Sequence, residues 1–261
     1  MADRPDAPDL TPWTFLREFT DARIALGRAG TSLPTRELLA LNAAHAAARD
    51  AVQVAADFGP LAGALRDAGE AVVQVHSRAA DRAEYLRRPD LGRTLAPDGV
   101  AALEETRTEP PSDIVIVVAD GLSAGAGTHV GPLLSLLLPE LRSAGFSVGP
   151  VVLARQARVA LGDPVALALG ARLVLVLIGE RPGLSSPDSL GAYLTFGPQP
   201  HTPDSARNCV SNIRPAGLDA RTAAWRLRQL IGQALRRELS GIALKDEGSD
   251  PPPDWARLPR G

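Results

Sequence analysis

Residues 113–119, Asp113-Ile114-Val115-Ile116-Val117-Val118-Ala119, form an unbroken apolar, β-branched run that gives way to the small-residue stretch DGLSAGAGTH at 120–129. Because the run shows no polar alternation, it reads as a strand covered on both faces, as parallel strands between two helix layers are. Val130 to Leu141 follows with helical spacing and serves as its crossover. Further along, Ser147 to Leu153 reads as a second strand, Asp163-Pro164 as the cap and first turn of another helix, and Leu173 to Ile178 as a third strand. Strands alternating with helices specify an α/β fold with a mainly parallel sheet. Near the end, Leu227, Leu230, Ile231, Ala234 and Leu235 make an apolar helical stripe behind Asp219, a good N-cap, with Arg221, Arg228 and Arg236 on a solvated opposite face.

Upstream the texture differs. From Thr11 to about Arg88 the apolar residues recur at helical spacing, so this part is expected to be all-helical. Leu38, Leu41, Ala48, Val52 and Ala55 share a face of one helix opened by Pro34, and Leu61, Leu65, Ala68, Val72 and Val75 share a face of the next. Breakers at Arg88–Arg93 and Glu109–Ser112 place a boundary between about Leu95 and Ser112. The expected organisation is a flexible start (1–10), a helical region (11–105), a sheet domain (106–247) and a proline-rich flexible tail (248–261).

Composition narrows the function. With 28 basic against 30 acidic residues, the net charge of −2 supplies no field to gather nucleic acid or anionic lipid. Cys209 is the only cysteine, which excludes an intrachain disulfide and an all-cysteine metal site. Lys245 is the only lysine, so neither a Walker lysine near the glycines nor a Schiff base elsewhere is available. The opening MADRPDAPDL is acidic and proline-broken, unlike a secretory signal, and a cytoplasmic location is expected.

Three segments carry candidate chemistry. The first is the turn containing Gly121, Gly125, Gly127 and Gly131, whose G-x-G-x-x-x-G spacing misses the dinucleotide fingerprint. The second strand also ends without an acidic residue for a ribose, so close strand-to-helix packing explains the glycines better than a nicotinamide site does. Ser123 completes a literal G-x-S-x-G, but only His201 follows His129, and an esterase ranks lower still. The second is the loop from Gly179 to Gly191, after the third strand, where open α/β sheets place ligands; Glu180 there can accept hydrogen bonds. The third is Arg207 to Pro215, in which Cys209, lacking a histidine nearby in sequence, reads as a small buried or pocket-lining residue. Histidines 45, 76, 129 and 201 have no metal-site spacing, and His45 falls on the apolar stripe of its helix as a core histidine.

Taken together, SRAADRAEYLRRPDLGR (77–93), VADGLSA (118–124), GERPGLSSPDSLG (179–191), RNCVSNIRP (207–215) and SGIALKDE (240–247) resemble the small (light) subunit family of ethanolamine ammonia-lyase, in order from about Trp13 to Glu247. The resemblance implies a Rossmann-like domain behind a helical region. It implies a lyase that converts ethanolamine to acetaldehyde and ammonia by a radical route, with adenosylcobalamin held between this chain and a large (β/α)8-barrel subunit that binds the substrate. It further implies a hetero-oligomer of several large and small pairs, and it admits packaging in a bacterial microcompartment. Carried over by position, the cobalamin-contacting residues are Val159, Glu180 and Cys209, with no catalytic or metal-ligating residue on this chain. No D-x-H-x-x-G motif offers cobalt a histidine, so the cofactor is expected to keep its own benzimidazole ligand. A nicotinamide-dependent oxidoreductase and a non-catalytic assembly partner are the alternatives.

Overall fold

The computed structural model describes residues 12–245 together with Pro252 and Trp255. In chain order the strands are β1 (Val72–His76), β2 (Ile114–Ala119), β3 (Val148–Arg155), β4 (Leu173–Gly179), β5 (Leu190–Phe196) and β6 (Asn208–Ile213). The α-helices are α1 (Thr35–Gln53), α2 (Gly59–Asp67), α3 (Arg82–Arg87), α4 (Pro97–Glu105), α5 (Val130–Ser143), α6 (Gly162–Leu169) and α7 (Ala220–Arg237).

Every residue of β2 is buried, and its side chains divide between two cores. Ile114, Ile116 and Val118 pack with α5, α7 and α2 on one face of the sheet, while Val115, Val117 and Ala119 pack with α4 and α6 on the other. Burial of each such large side chain contributes about 1.5–3 kcal/mol, which fixes β2 at the centre. The sheet runs β1-β3-β2-β4-β5-β6. The first four strands are parallel, and β5 and β6 add antiparallel. Since β3 and β4 flank β2 and their crossovers α5 and α6 lie on opposite faces, the winding reverses beside β2. Such a reversal opens a crevice at the carboxyl ends of the strands.

The mainly parallel α/β expectation holds, with corrections. The stretch before residue 105 is not all-helical: Val72 and Val75 belong to β1, which pairs in parallel with β3. Their helical spacing from Leu61 is coincidental, because Gly69, at φ +82°, ends α2 and the chain leaves extended. β1 then alternates inward Val73 and Val75 with outward Gln74 and His76, a period of two too short to stand out. α1 forms where expected but has no buried residue, and His45 is exposed rather than a core histidine. Asp163 caps nothing; it lies buried in the first turn of α6 and pairs with Arg207. Asp219 does cap α7, accepting from the amides of Arg221 and Thr222. The arginines behind that stripe are not all simply solvated. Arg228 reaches Glu140 at 3.4 Å, and Arg221 donates to the carbonyls of Pro252 and Trp255, whose indole stands edge-on to Trp225 at 5.3 Å. Otherwise the flexible start (1–10) and tail (248–261) lie outside the described residues.

Candidate functional site

At the carboxyl rim of the sheet the loops are tied together by main-chain and carboxylate contacts. The buried Asp120 carboxylate, one residue past β2, accepts from the amides of Gln156 at 2.8 Å and Ala157 at 3.0 Å, which pins the loop after β3. Burial raises its pKa, against those amide bonds and the nearby Arg82 charge, which lower it. Arg82 donates to the carbonyls of Gly121 and Val52 at 2.8 Å each, joining the end of α1 to the same rim. The amide of Leu122 donates to the Gly179 carbonyl, bringing the ends of β2 and β4 together. Gly121 is at φ +58°, and a Cβ there would collide with Gly179, just as a Cβ on Gly179 would collide with the carbonyls of Ser123 and Asp120. These two glycines are required by close backbone approach.

Above this floor lies a partly open cavity of about 710 Å³. Val159, just after β3, Glu180, just after β4, and Cys209 all line it, so the structure brings the three sequence candidates into one crevice. Glu180 is oriented on one side only: Oε2 accepts a short hydrogen bond from Ser189 and another from the Asn212 amide at 3.2 Å. Its Oε1 takes no hydrogen bond from the described residues and remains an acceptor. Cys209 lies on strand β6 rather than in a loop, opposite Tyr193 of β5 and accessible to solvent. The surrounding protein still pushes its thiol pKa up; Tyr193 opposes this through a hydrogen bond, and the Glu180 charge adds to it. Burial likewise raises the Tyr193 hydroxyl, with Cys209 reinforcing the effect. Both groups are neutral at physiological pH, so this wall offers hydroxyl and thiol hydrogen bonds and no thiolate nucleophile.

The other candidates are accounted for by structure. Ser123 is buried, and its hydroxyl donates to the Pro187 carbonyl at 2.6 Å, a bond that holds the loop before β5. His129 faces Asp188 at 3.0 Å and His76 faces Asp98 at 3.0 Å, each next to a carboxylate away from the cavity. Among the described residues no histidine lines the cavity. The close-packing explanation of Gly125, Gly127 and Gly131 is corrected: a Cβ on Gly125 would meet nothing nearer than 3.7 Å, and Gly127 and Gly131 face open space. The crowding sits at Gly121 and Gly179 instead.

The profile of the ethanolamine ammonia-lyase light chain (EutC) family matches residues 10–245. The chain belongs to this family. It is 49% identical to an "Ethanolamine ammonia-lyase small subunit" of Ralstonia nicotianae over 252 residues, covering 95% of this chain and 93% of the relative. It is 51% identical to the small subunit of Pseudomonas putida over 250 residues, covering 95% and 92%. To that of Bradyrhizobium diazoefficiens it is 52% identical over 244 residues, covering 93% of each chain.

Within this light-chain fold, sequence reasoning missed several residues of the cavity wall. Tyr193 was invisible because β5 went unread. Tyr85 sits in a stretch quoted only for its resemblance and Arg158 was passed over beside Val159, yet they form one unit. The Tyr85 ring is fully buried, its hydroxyl donates to the Ala157 carbonyl at 3.1 Å, and the guanidiniums of Arg158 and Arg82 lie 4.3 and 4.8 Å from its centroid. Burial pushes the tyrosine pKa up to about 12, against the two positive charges, and keeps the phenol neutral. The available signal was a lone tyrosine between arginines at 82–88, which spacing alone does not distinguish from a solvated helix.

Proposed function

We propose that this chain is the small subunit of an adenosylcobalamin-dependent ethanolamine ammonia-lyase and closes the cofactor site against a large (β/α)8-barrel subunit. The observation that carries the reading is the convergence on one cavity of Val159 and Glu180, from the segments that follow β3 and β4, and of Cys209, from within β6. The reversal of winding beside β2 supports the Rossmann-like expectation, since such folds bind their ligands there. The donor set fits the group: a carboxylate oxygen without a partner and neutral hydroxyl and thiol groups suit amide-bearing side arms, and an apolar valine suits a ring edge. A cavity that is only partly enclosed suits a cofactor shared with a partner.

When bound, this cofactor supplies radical initiation by homolysis of its cobalt–carbon bond. This chain's residues bind and orient. Glu180, held through Oε2 by Ser189 and Asn212, presents Oε1 as an acceptor whose direction is set before binding, and Tyr193 and Cys209 shape the adjacent wall. Asp120 holds the loop that carries Val159 by its bonds to the amides at 156 and 157. Exposed apolar side chains along the N-terminal third, among them Trp13, Phe19, Leu39 and Val54, supply surface for assembly with other subunits. No helix of the described residues is long and apolar enough to cross a membrane, which accords with a cytoplasmic enzyme, packaged in a microcompartment or not.

The test is coexpression with the large subunit and an ammonia-release assay with and without adenosylcobalamin. Cofactor-dependent release by the pair and none by this chain alone is the expected result; release independent of the cofactor would overturn the reading. In the same complex Glu180→Gln is expected to raise the apparent cofactor Kd about ten- to hundredfold and leave the saturated rate nearly unchanged. Unchanged affinity would reduce the chain to an assembly partner. Cys209→Ala is expected to be mild, and loss of turnover at full cofactor occupancy would assign the sulfur a chemical role.

A further inference from the structure

Beside the acceptor wall, the same cavity has a cationic wall that the contacts described so far leave unused. Arg93, Arg158, Arg181 and Arg207 line it, together with Glu180 and Asp204. Arg207 is neutralised: its two terminal nitrogens each lie 2.7 Å from a carboxylate oxygen of the buried Asp163, and its Nε lies 3.6 Å from Asp204. Arg93, Arg158 and Arg181 have no carboxylate partner among the described residues, and the carboxylate left to face them is Glu180. Their wall therefore carries an excess of positive charge.

Arg158 is the prepared member of this group. Its guanidinium is positioned by stacking on the buried Tyr85 ring, at 4.3 Å from the centroid, and Gly92 packs closely against both the ring and the Arg158 stem. A Cβ at Gly92 would approach the Arg158 Cγ to 3.0 Å and the Tyr85 ring to 2.9 Å. The Arg158 amide donates to the Gly92 carbonyl at 2.8 Å, which holds the backbone in register. Against this tight placement, the guanidinium makes a single long hydrogen bond, Nη2 to the Tyr85 carbonyl at 3.4 Å, and its buried Nε has no partner. A guanidinium held by an aromatic face and not by a carboxylate keeps its fork of N–H donors available for an anion.

We propose that this cationic wall, with Arg158 at its centre, binds the phosphodiester of the cofactor's nucleotide loop. The proposal rests on the cobalamin reading above. The side arms of a cobalamin are neutral amides, so the phosphodiester is its one peripheral anion, and a singly charged, fork-shaped acceptor matches a wall with surplus positive charge. Glu180 then serves the amide arms and Arg158 the nucleotide loop of a cofactor held in one cavity.

The experiment uses the complex with the large subunit and compares two probes by absorbance titration: hydroxocobalamin, and cobinamide, which keeps the corrin and its amides but lacks the nucleotide and its phosphodiester. In Arg158→Gln the expected result is a loss of hydroxocobalamin affinity of about ten- to hundredfold. Cobinamide affinity should stay within about twofold, and Arg158→Lys should recover part of the loss by restoring the charge without the fork. Arg93→Ala and Arg181→Ala, whose side chains do not support Tyr85, should show smaller losses that are again confined to hydroxocobalamin. Equal losses for both probes, or no loss across the three positions, would overturn the phosphodiester assignment while leaving the cobalamin reading intact. Failure of the unaltered complex to bind hydroxocobalamin would overturn the cobalamin reading and this assignment with it.

Discussion

Helices α1 and α7 are nearly the same length, 19 and 18 residues, and both display an apolar stripe, yet one has no buried residue and the other has eight. α7 lies against α5 and the face of the sheet that carries Ile114, Ile116 and Val118. α1 leaves Leu38 and Leu39 at 48% and 61% exposure and meets the rim mainly through the Arg82 bond to the Val52 carbonyl. A helical stripe therefore records which residues can be covered, not whether this chain covers them. In α7 the stripe is satisfied within the chain. In α1 it is covered only in part: Leu41, Ala48 and Val52 are half-buried, while Leu38 stays exposed.

Three measurements can break or sharpen this contrast. The largest effect is expected where the sheet region has committed a charge to its interior. Asp163→Ala leaves Arg207, 8% exposed, without its bidentate partner, and should cost about 3–5 kcal/mol in urea unfolding of the isolated chain. A cost under about 1 kcal/mol would mean that Arg207 finds water or Asp204 instead.

The next effect compares the two helices directly. Leu227→Ala in α7, at 0% exposure, should cost about 2–5 kcal/mol, whereas Leu39→Ala in α1 should stay within about 0.5 kcal/mol for the isolated chain. The order should shift in the assembled enzyme, where Leu39→Ala weakens subunit association and Leu227→Ala does not act at the interface. Equal costs in the isolated chain would show that α1 is packed in solution.

The smallest effect is electrostatic and sits at β1, where the N-terminal part joins the sheet. His76 contacts the Ser77 carbonyl through Nδ1 at 2.8 Å and Asp98 through Nε2 at 3.0 Å. The backbone contact to Ser77 and the Asp98 carboxylate outweigh burial and raise its pKa above the ordinary 6.5. A histidine raised on folding binds its proton more tightly in the native state. Its stabilising contribution is complete below pH 6.5 and is lost as the pH rises through the folded pKa. Unfolding measured from about pH 6 to about pH 8 should show a small decline in stability that His76→Gln removes. The side chain is half exposed, so solvent screening keeps the decline well below the other two effects. An identical pH profile in the variant would dissociate His76 from the stability of β1.

The chain's local pattern was enough to locate β2, β3, β4, α5 and α7, because strands and helices buried on one or both faces are written in runs and stripes of apolar residues. It also pointed to the loop carrying Glu180, since open α/β sheets place ligands after their strands, whereas Val159 came only from the family resemblance. What local pattern did not contain was the partner of each surface. β1 is five residues long and half-exposed, β6 is an edge strand with three exposed residues, and neither offers a run long enough to register. The pairing of Asp163 with Arg207 spans 44 positions, and Tyr85 meets Arg158 across 73, so both contacts exist only once the helices and loops have closed over the sheet. The same holds for Gly121 and Gly179, essential not for any motif but because two strand ends approach there, and for the exposure of α1. Covering a side chain takes a second surface, and periodicity within one segment holds no information about whether that surface arrives.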